Sequence, residues 1–515
     1  MRRLCIFAMV FLFTPVLAYG DTVKIGLAHV FSGPMATFGE VAEQGVRVAV
    51  KRINEKGGLL GRTVEVIKAD TQVKPEEGLK AVERLVEEDR VDAIVGIVSS
   101  AVALKVTPEM DRLKTPLIIT HAMADPVTGS KCSPWVFRMT WSTKEALKGA
   151  ALLAKSELKS DTWTTLGPDY GFGQETWELF QKYLVELGPY KFVSPNYSSV
   201  ATKDWKPYIE KLNASGAKGV LISLWGNNLR DFVKQANAEK FFDGKEVICV
   251  VGGGVEIFWA LGFLDTPVGV WFGAPYWAGA NETPENVEFV NEYRKLSHSQ
   301  IPPSYSAYTA YASVIMYAEA VKKAGTADKK SVVKALEGLR VNLPGGLTTF
   351  RPADHQAVFP VVFGKSAQQA SSLGKRFRRL AHLKIFDGED LLPRPEDTGC
   401  AMKTLNYKAG FPSRRDAGLL SGPLAVKLQG PVGAWRPHRS RSLHTNPDEL
   451  YRPWREPDSL IRYRQLPRIQ CFATLVRLGD LVSPPAAAGR TVCPWFYGMP
   501  LTVVCNSRGQ SAGGW

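Results

Sequence analysis

The chain has 515 residues, of which 45% are hydrophobic and 22% charged, and its formal net charge is +14. This length exceeds a single hydrophobic core, and the apolar content excludes a chain that is disordered throughout, so at least two folded units are expected. Residues 404–515 hold 13 arginines and 2 lysines against 6 acidic residues, a net charge of +9. Most of the positive net charge of the chain therefore lies in this segment and not in the part that is expected to fold.

The first 20 residues have the pattern of an export signal. Basic residues precede an apolar run from Leu4 to Leu17, and small residues up to Gly20 predict cleavage before Asp21. A membrane span needs about 20 residues, and the run is shorter than that, which favours a cleaved signal over an uncleaved anchor. No later segment is apolar enough to cross a bilayer. We therefore expect a soluble, exported protein.

A strand, a loop and a helix follow the signal. Apolar residues predict a strand over Val23–Leu27, and Ser32-Gly33-Pro34 is a loop that lets the backbone approach a ligand closely. Apolar residues at helical spacing then predict a helix over Thr37–Lys56, which Gly57-Gly58 ends. A loop at a helix N-terminus attracts anionic ligands, so this motif indicates a binding site.

Strands and helices are predicted to alternate along the next part of the chain, which implies parallel sheets covered by helices on both faces. Ser366–Arg379 breaks this pattern and is predicted to be a variable surface loop. The predicted strands are Val23–Leu27, Val64–Ala69, Ala93–Val95, Leu117–Thr120, Thr162–Leu166, Val220–Leu224 and Val247–Val251. The predicted helices are Thr37–Lys56, Pro75–Glu88, Val102–Leu113, Lys144–Leu158, Gly173–Leu187, Lys206–Ala214 and Leu229–Ala238.

Several of these segments carry a resemblance to a known family. Ser32–Gly39 (SGPMATFG), Ile53–Asp70 (INEKGGLLGRTVEVIKAD) and Ile94–Ser100 (IVGIVSS) resemble type I periplasmic substrate-binding proteins of ABC importers, in the Leu/Ile/Val-binding group. The resemblance runs in order from Val23 to Met402. It implies an α/β fold of two doubly wound lobes joined by three crossing segments, with the ligand in the cleft between lobes that close by a hinge motion.

The resemblance also implies domain boundaries. Lobe one would comprise residues 21–139 and 274–357, and lobe two residues 140–273 and 358–403. The crossings are expected near Arg138–Ser142, Trp271–Tyr276 and Val358–Phe363.

Candidate ligand contacts in lobe one follow two strands. Ser99 and Ser100 offer hydroxyls for a carboxylate, although Ser is also a good helix N-cap, and the two roles can coexist. By resemblance, Ser100 is the preferred contact and the Ala122 backbone grips the carboxylate. The remaining candidates of this lobe are Thr120, His121 and Phe38, and for Phe38 a core role at the start of the helix is an equal alternative.

The candidates in lobe two also lie at predicted strand ends. Tyr170 and Trp225 are aromatic residues next to glycine, a setting that suits a pocket wall better than a core. Asn227 follows Trp225, and Gly253 lies in a Gly-Gly-Gly run that permits close backbone approach.

Two positions depart from the family pattern. Relatives that bind α-amino acids hold the ammonium group with a Thr hydroxyl where this chain has Ala124, and with a Glu that is displaced here to Glu256. A buried ammonium without partners costs several kcal/mol. The expected ligand is therefore a small carboxylate or amide with an apolar or aromatic body. A branched-chain amino acid stays open if Glu256 or Asp169 reaches the ligand.

The expected partners are a small-molecule ligand and an inner-membrane ABC permease, and the protein is expected to be a periplasmic monomer. The alternative is a binding protein that reports ligand occupancy to a receptor or regulator. The seven histidines show no metal-ligand spacing, and the sequence has no nucleophile elbow or phosphate-binding loop, so no cofactor, metal or enzymatic activity is expected.

The cysteines and the basic segment leave alternatives open. In an oxidising compartment Cys132 and Cys400 could pair, although the sequence does not determine connectivity, and Cys249 in an apolar run is expected to be a free buried thiol. The arginine-rich segment 404–515 is typical of either a nucleic-acid-binding tail or an extension that need not fold. Sparse aromatics and the end of the resemblance at Met402 favour the extension, and no nucleic-acid partner is expected.

Overall fold

The computed structural model describes residues 22–370 and 376–402. The predicted signal peptide and the basic extension both lie outside these residues. Within them, the strands are β1 Val23–His29, β2 Val64–Asp70, β3 Ala93–Gly96, β4 Leu117–Ile119, β5 Val136–Arg138, β6 Thr162–Pro168, β7 Lys191–Phe192, β8 Asn196–Ser198, β9 Gly219–Ile222, β10 Glu246–Cys249, β11 Trp271–Ala274, β12 Arg340–Leu343, β13 Gly346–Phe350, β14 Ala357–Val358, β15 Val361–Ala370 and β16 Arg376–Phe386.

Most of the helices lie between successive strands of the two large sheets. They are α1 Thr37–Glu55, α2 Pro75–Glu87, α3 Ser100–Val106, α4 Met110–Leu113, α5 Thr143–Glu157, α6 Gly171–Leu187, α7 Lys206–Ala214, α8 Gly226–Ala238, α9 Val255–Asp265, α10 Pro284–Ser297, α11 Tyr305–Ala324, α12 Lys329–Leu336 and α13 Gly388–Leu391. Short 3-10 turns precede α1 at Gly33–Met35, connect α3 to α4 at Thr107–Glu109, and occur at Asp125–Val127 and Pro395–Asp397.

The first sheet is wholly parallel and has the order β2-β1-β3-β4-β5. Successive side chains of a strand point to opposite faces. In β3, Val95 joins the core formed with α1 and α11, whereas Ile94 joins the core formed with α2 and α3. Both faces are thus covered, as the near-continuous apolar strands predict.

The second sheet has the order β16-β15-β11-β10-β9-β6-β7, with β8 also paired to β6. Its strands β6 to β11 are parallel, and β15 and β16 add an antiparallel edge. Trp163 and Trp271 pack in the core that includes α5 and α6, whereas Leu166 and Phe272 pack in the core with α7, α8 and α9. The molecule therefore has two doubly wound lobes.

Three segments carry the chain between the lobes. It leaves the first sheet after Arg138 and enters α5 at Thr143, leaves the second sheet after Ala274, and enters it again at Val361. A small antiparallel sheet, β12-β13-β14, precedes the last crossing. The exact lobe boundaries given above stay predictions.

Two predicted elements differ from the structure. The predicted surface loop at Ser366–Arg379 is wrong for its described residues, which lie in the paired strands β15 and β16. Ser366 is 1% exposed, because its backbone and hydroxyl pair with Val270 of the neighbouring strand segment. Residues 371–375 of that prediction lie outside the described residues. The predicted helix Val102–Leu113 is interrupted at Pro108, which lacks a backbone N–H and closes a 3-10 turn instead.

Among the described residues, no helix combines the length and hydrophobicity of a membrane span.

Candidate functional site

The candidate site of the first lobe lies at the carboxyl ends of its parallel strands. β1 leads to His29, β3 leads to Ser99 and Ser100, and β4 leads to the loop Thr120–Asp125. Because β1, β3 and β4 are neighbours and parallel, these segments emerge at one edge of the sheet. This edge is where open α/β sheets bind ligands.

The first loop is less suited to an anion than the sequence suggested. The amide of Phe31, just before Ser32-Gly33-Pro34, donates to the carboxylate of Asp70 at 2.9 Å, and the same oxygen accepts the Gln72 amide. A carboxylate thus already occupies this backbone donor, and its charge repels a second anion. Free hydrogen-bond donors at this edge are therefore sought at the ends of β3 and β4.

Two serine hydroxyls lie at those ends with their donor hydrogens free. Ser99 caps α3 by accepting the Val102 amide at 3.5 Å, and the Ser100 hydroxyl oxygen accepts the Ala124 amide at 3.2 Å. Each hydroxyl has one donor hydrogen in addition to its acceptor sites. Both serines are only partly buried, so each O–H can donate to a ligand oxygen while the oxygen keeps its internal bond.

The backbone of the loop after β4 offers a further donor. Ala122 is fully buried, and its amide has no acceptor among the described residues. Buried amides without a partner are rare in folded proteins because the desolvated group costs free energy. An anionic group bound beside Ser100 would satisfy this amide.

A buried pair of histidines borders these donors. The Nε2 atom of His29 lies 3.4 Å from the Nδ1 atom of His121, and the Thr120 hydroxyl lies 2.7 Å from the same Nδ1. Burial lowers the pKa of His29 to about 3, and burial followed by the neighbouring His29 holds the pKa of His121 well below its usual value. Both rings are therefore neutral near pH 7. The Nε2 atom of His121 has no partner among the described residues, so it can donate or accept according to its tautomer.

Aromatic rings surround His121. Phe38, in the first turn of α1, contacts it edge-on with ring centroids 6.3 Å apart, and Tyr305 at the start of α11 lies 5.5 Å away. Phe38 is only partly buried. Its ring contact places Phe38 beside the strand-end cluster, and its role as a ligand contact stays a prediction.

The second lobe contributes an aromatic wall. Tyr170 follows β6 and Trp225 follows β9, and the indole N–H of Trp225 donates to the Tyr170 hydroxyl at 2.9 Å. Tyr170 also stacks on Phe172, with centroids 6.2 Å apart, and is 39% exposed. Such an exposed, bonded group of aromatic residues has the composition of a ligand-pocket wall. Asn227 lies in the first turn of α8, two residues beyond Trp225.

The two strand-end regions approach each other at Met35. A Cβ built on Gly226, which follows Trp225, would lie 3.3 Å from the Met35 methyl carbon. Residues that precede α1 thus reach the start of α8, beside the aromatic wall.

Gly253 has a packing function in the structure. Its amide donates to the Gly273 carbonyl at 2.9 Å, and a Cβ built at this position would lie 2.6 Å from the same oxygen. Close approach to β11 therefore explains the glycine without a ligand. The side chain of Glu256, the displaced carboxylate, lies outside the described residues.

The three cysteines that the structure describes lie in two environments. A disulfide joins Cys132 to Cys400, with Cα atoms 5.6 Å apart, and links the loop before β5 to the last described segment. Cys249 is a free, buried thiol whose pKa is raised by burial. Among the described residues, no three His, Cys, Asp or Glu side chains are grouped as metal ligands.

Three contributors to the site were missed from the sequence: His29, Met35 and Tyr305. His29 reaches His121 because β1 and β4 lie on either side of β3, and strand order across a sheet leaves no local signal in the sequence. Tyr305 lies far along the chain and reaches His121 only because α11 packs against α1. The motif SGPMATFG did contain Met35, but its contact with Gly226 depends on the other lobe.

A two-lobed α/β fold with hydrogen-bond donors and aromatic residues at the strand ends is typical of solute-binding proteins. A sequence model described as periplasmic binding protein matches residues 22–370, and the chain belongs to this family. Family members are periplasmic substrate-binding proteins of transporters.

Individual relatives agree with this assignment. A Leu/Ile/Val-binding protein homolog 4 of Brucella melitensis is 26% identical over 410 residues, covering 75% of this chain and 94% of the relative. The amino acid ABC transporter substrate-binding protein of Pseudomonas fluorescens Pf-5 has a TM-score of 0.66 at 23% identity, covering 74% of this chain and 99% of that one. A solute-binding protein of an ABC transporter from Rhodopseudomonas palustris HaA2, solved with p-hydroxybenzoic acid, has a TM-score of 0.62 at 21% identity, with coverages of 72% and 98%.

Proposed function

We propose that this protein is the periplasmic solute-binding component of an ABC importer and that it captures a small carboxylate with an apolar or aromatic body. It binds this ligand between the lobes and releases it unchanged. The observation that carries the proposal is the donor set at one strand edge, formed by the hydroxyls of Ser99 and Ser100 and the unpaired amide of Ala122. These three hydrogen-bond donors, none of which belongs to a basic side chain, can together bind one carboxylate group.

Position 124 argues against a ligand with an ammonium group. The Ala124 amide bonds to the Ser100 hydroxyl, so this residue borders the proposed carboxylate site. Its methyl side chain offers no acceptor to an ammonium. The neighbouring His121 is held neutral by burial and supplies at most one acceptor atom. A carboxylate that lacks an α-amino group avoids the cost of leaving a buried cation unpaired.

The aromatic wall supports an aromatic or bulky apolar ligand body. Tyr170, Phe172 and Trp225 provide ring faces and edges at the opposite lobe. The related protein solved with p-hydroxybenzoic acid shares the fold, whereas the Brucella melitensis relative carries the name of a branched-chain amino acid binder. We therefore propose an aromatic carboxylate first and a branched-chain amino acid second.

The experiment is calorimetry on a matched ligand panel. 4-Hydroxybenzoate and benzoate represent aromatic acids, and L-leucine is paired with 4-methylpentanoate, its analogue without the amino group. We expect the parent protein to prefer the acids that lack the amino group, and Ala124→Thr to shift preference towards L-leucine by restoring a hydroxyl. A parent protein that binds L-leucine much more tightly than 4-methylpentanoate would show that the ammonium argument is wrong.

The proposal includes lobe closure, a monomeric state and delivery to an inner-membrane permease. Small-angle scattering with the tightest ligand of the panel is expected to give a smaller radius of gyration than the empty protein, because closure requires contacts made only in the closed state. An unchanged radius at saturation contradicts closure.

Native mass spectrometry of periplasmic material measures the mature mass, the oligomeric state and any co-purified ligand together.

A further inference from the structure

In the loop after β4, the backbone amides and the backbone carbonyls have different partners. On one side the amide of Ala122 is unpaired and the amide of Ala124 bonds to Ser100. On the other side the carbonyls are occupied: Met123 accepts from the Arg138 guanidinium at 3.1 Å and from the Thr143 amide at 3.0 Å, and Ala124 accepts from Arg138 at 2.7 Å. The carbonyl side is thus held by residues at the first crossing.

Arg138 connects this loop to two crossings at once. It is 2% exposed at the end of β5, where its Nε donates to the Gln356 side-chain oxygen and its Nη2 donates to the Thr128 hydroxyl at 2.6 Å. Gln356 in turn donates to the Thr140 carbonyl at 2.8 Å, in the first crossing, and to the Ala357 carbonyl at 3.0 Å, next to the last one.

Only a guanidinium suits this position. Its planar fork of fixed donors reaches two successive carbonyls, an amide oxygen and a hydroxyl together, whereas a lysine ammonium is a single point of charge. A buried cation also needs compensation, and the carboxylates of Asp125, Glu145 and Asp354 face it, with Arg351 as an opposing charge.

We propose that Arg138 is a positioning residue that fixes the ligand-binding loop against the hinge, so that the Ala122 amide stays available to the ligand and the Ala124 amide stays bonded to Ser100. The inference deepens the proposed function and rests on it for the identity of that loop as the carboxylate site. Because the same side chain bonds through Gln356 to both crossings, a change of hinge geometry reaches the loop carbonyls directly.

The test measures hydrogen–deuterium exchange in the ligand-free protein, so it does not depend on a known ligand. Arg138→Lys is expected to raise exchange in a peptide covering Ala122–Asp125 by about tenfold or more, the factor that corresponds to losing hydrogen bonds to a charged group. Exchange in β1, in the same sheet, is expected to stay at the parent rate. Unchanged exchange in the loop overturns the proposal, as does faster exchange throughout the first sheet, which indicates a merely structural role.

Arg351→Lys is the matched control. Arg351 lines the same small pocket as Arg138, but it bonds to Asp354 and the Pro393 carbonyl and not to the loop. Its exchange profile is expected to match the parent. If Arg138→Lys does not fold, Gln356→Leu, which removes the support of the guanidinium, is measured in the same way with the same expected pattern.

A binding measurement separates this proposal from the proposed function. With 4-hydroxybenzoate and 4-methylpentanoate as probes, Arg138→Lys is expected to weaken whichever one binds the parent by about tenfold, and Arg351→Lys to leave it unchanged. If neither probe nor L-leucine binds the parent, the proposed function fails while the exchange result still decides the positioning role. If the probe binds and both variants match the parent, the positioning role fails alone.

Discussion

The indole N–H of Trp225 donates to the phenolic oxygen of Tyr170 over 2.9 Å, joining two residues that are 55 positions apart in the chain. Each follows a parallel strand of the second sheet, β9 and β6, and these strands are direct neighbours. The bond fixes the two rings relative to each other and presents one aromatic surface.

This surface leads to the first prediction. Trp225→Ala is expected to weaken binding of 4-hydroxybenzoate more than binding of 4-methylpentanoate, because an aromatic pair contributes about 0.5–1.5 kcal/mol beyond its buried area. Tyr170→Phe keeps the ring and loses only the bond to Trp225, so its effect is expected to be smaller. Calorimetry measures both, with Tyr208→Phe in α7 as a control. Equal losses for the two ligands would contradict an aromatic wall.

The second prediction concerns the carboxylate donors. Ser100→Ala is expected to weaken any carboxylate ligand by about 1.5–3 kcal/mol, the contribution of a hydrogen bond to a charged group. The substitution also removes the acceptor of the Ala124 amide, so the thermal transition is measured alongside affinity. Ser215→Ala, at the end of α7, serves as the control. A Ser100→Ala protein that binds with parental affinity would remove Ser100 from the site.

A third prediction follows from Glu145, which is buried in the first turn of α5. Burial raises its pKa to about 7, above the usual 4.5, although it accepts the Ser142 amide. The folded protein therefore holds a proton that the unfolded chain releases between about pH 4.5 and 7, so this group contributes stability below pH 4.5 that is lost as the pH rises to about 7. Glu145→Gln is expected to reduce the fall in melting temperature between pH 5 and pH 8.

The control for this pH dependence is Asp328, the N-cap of α12. The Ser331 amide that donates to its carboxylate lowers its pKa, so its contribution to stability changes only at more acidic pH. Asp328→Asn is therefore expected to leave the difference between pH 5 and pH 8 unchanged. A Glu145→Gln protein with the parental difference would show that Glu145 is ionised in the folded state.

The fourth prediction tests the Cys132–Cys400 disulfide, which closes a loop of 268 residues in sequence separation. A cross-link restricts the unfolded chain, and removing one typically costs about 2–4 kcal/mol. Cys132→Ser, Cys400→Ser and the double variant are expected to have the same lowered melting temperature, and dithiothreitol to bring the parent to that value. Single variants that differ from the double variant would mean that the two thiols act separately.

The periodic part of the fold could be read from the residues. Apolar spacing located α1, which begins at Thr37 as predicted, and α7, which has the predicted bounds Lys206–Ala214. Strand β1 was also identified, because burial on both faces leaves a near-continuous apolar run. The family resemblance, confirmed by the match over residues 22–370, supplied the two-lobed arrangement.

The side-chain pattern predicted the wrong secondary structure where backbone hydrogen bonding or a single residue determined it. Ser366 belongs to a polar segment with no strand signal, yet it lies in β15 because β11 and β16 bond to that strand on both sides. Pro108 divides a helix whose apolar spacing continues past it. In both cases the hydrogen-bonding capacity of the backbone outweighs side-chain periodicity.

By itself, the sequence determined which residue types follow each strand, and therefore that hydroxyl, amide and aromatic groups are present at the strand ends. Tertiary structure decided which of them touch. His29 meets His121 across β3, Trp225 meets Tyr170 across a strand pair, and Arg138 meets Gln356 over a separation of 218 residues. These pairs depend on strand order and on the crossings between lobes, which arise from packing between distant segments and leave no periodic trace in either segment alone.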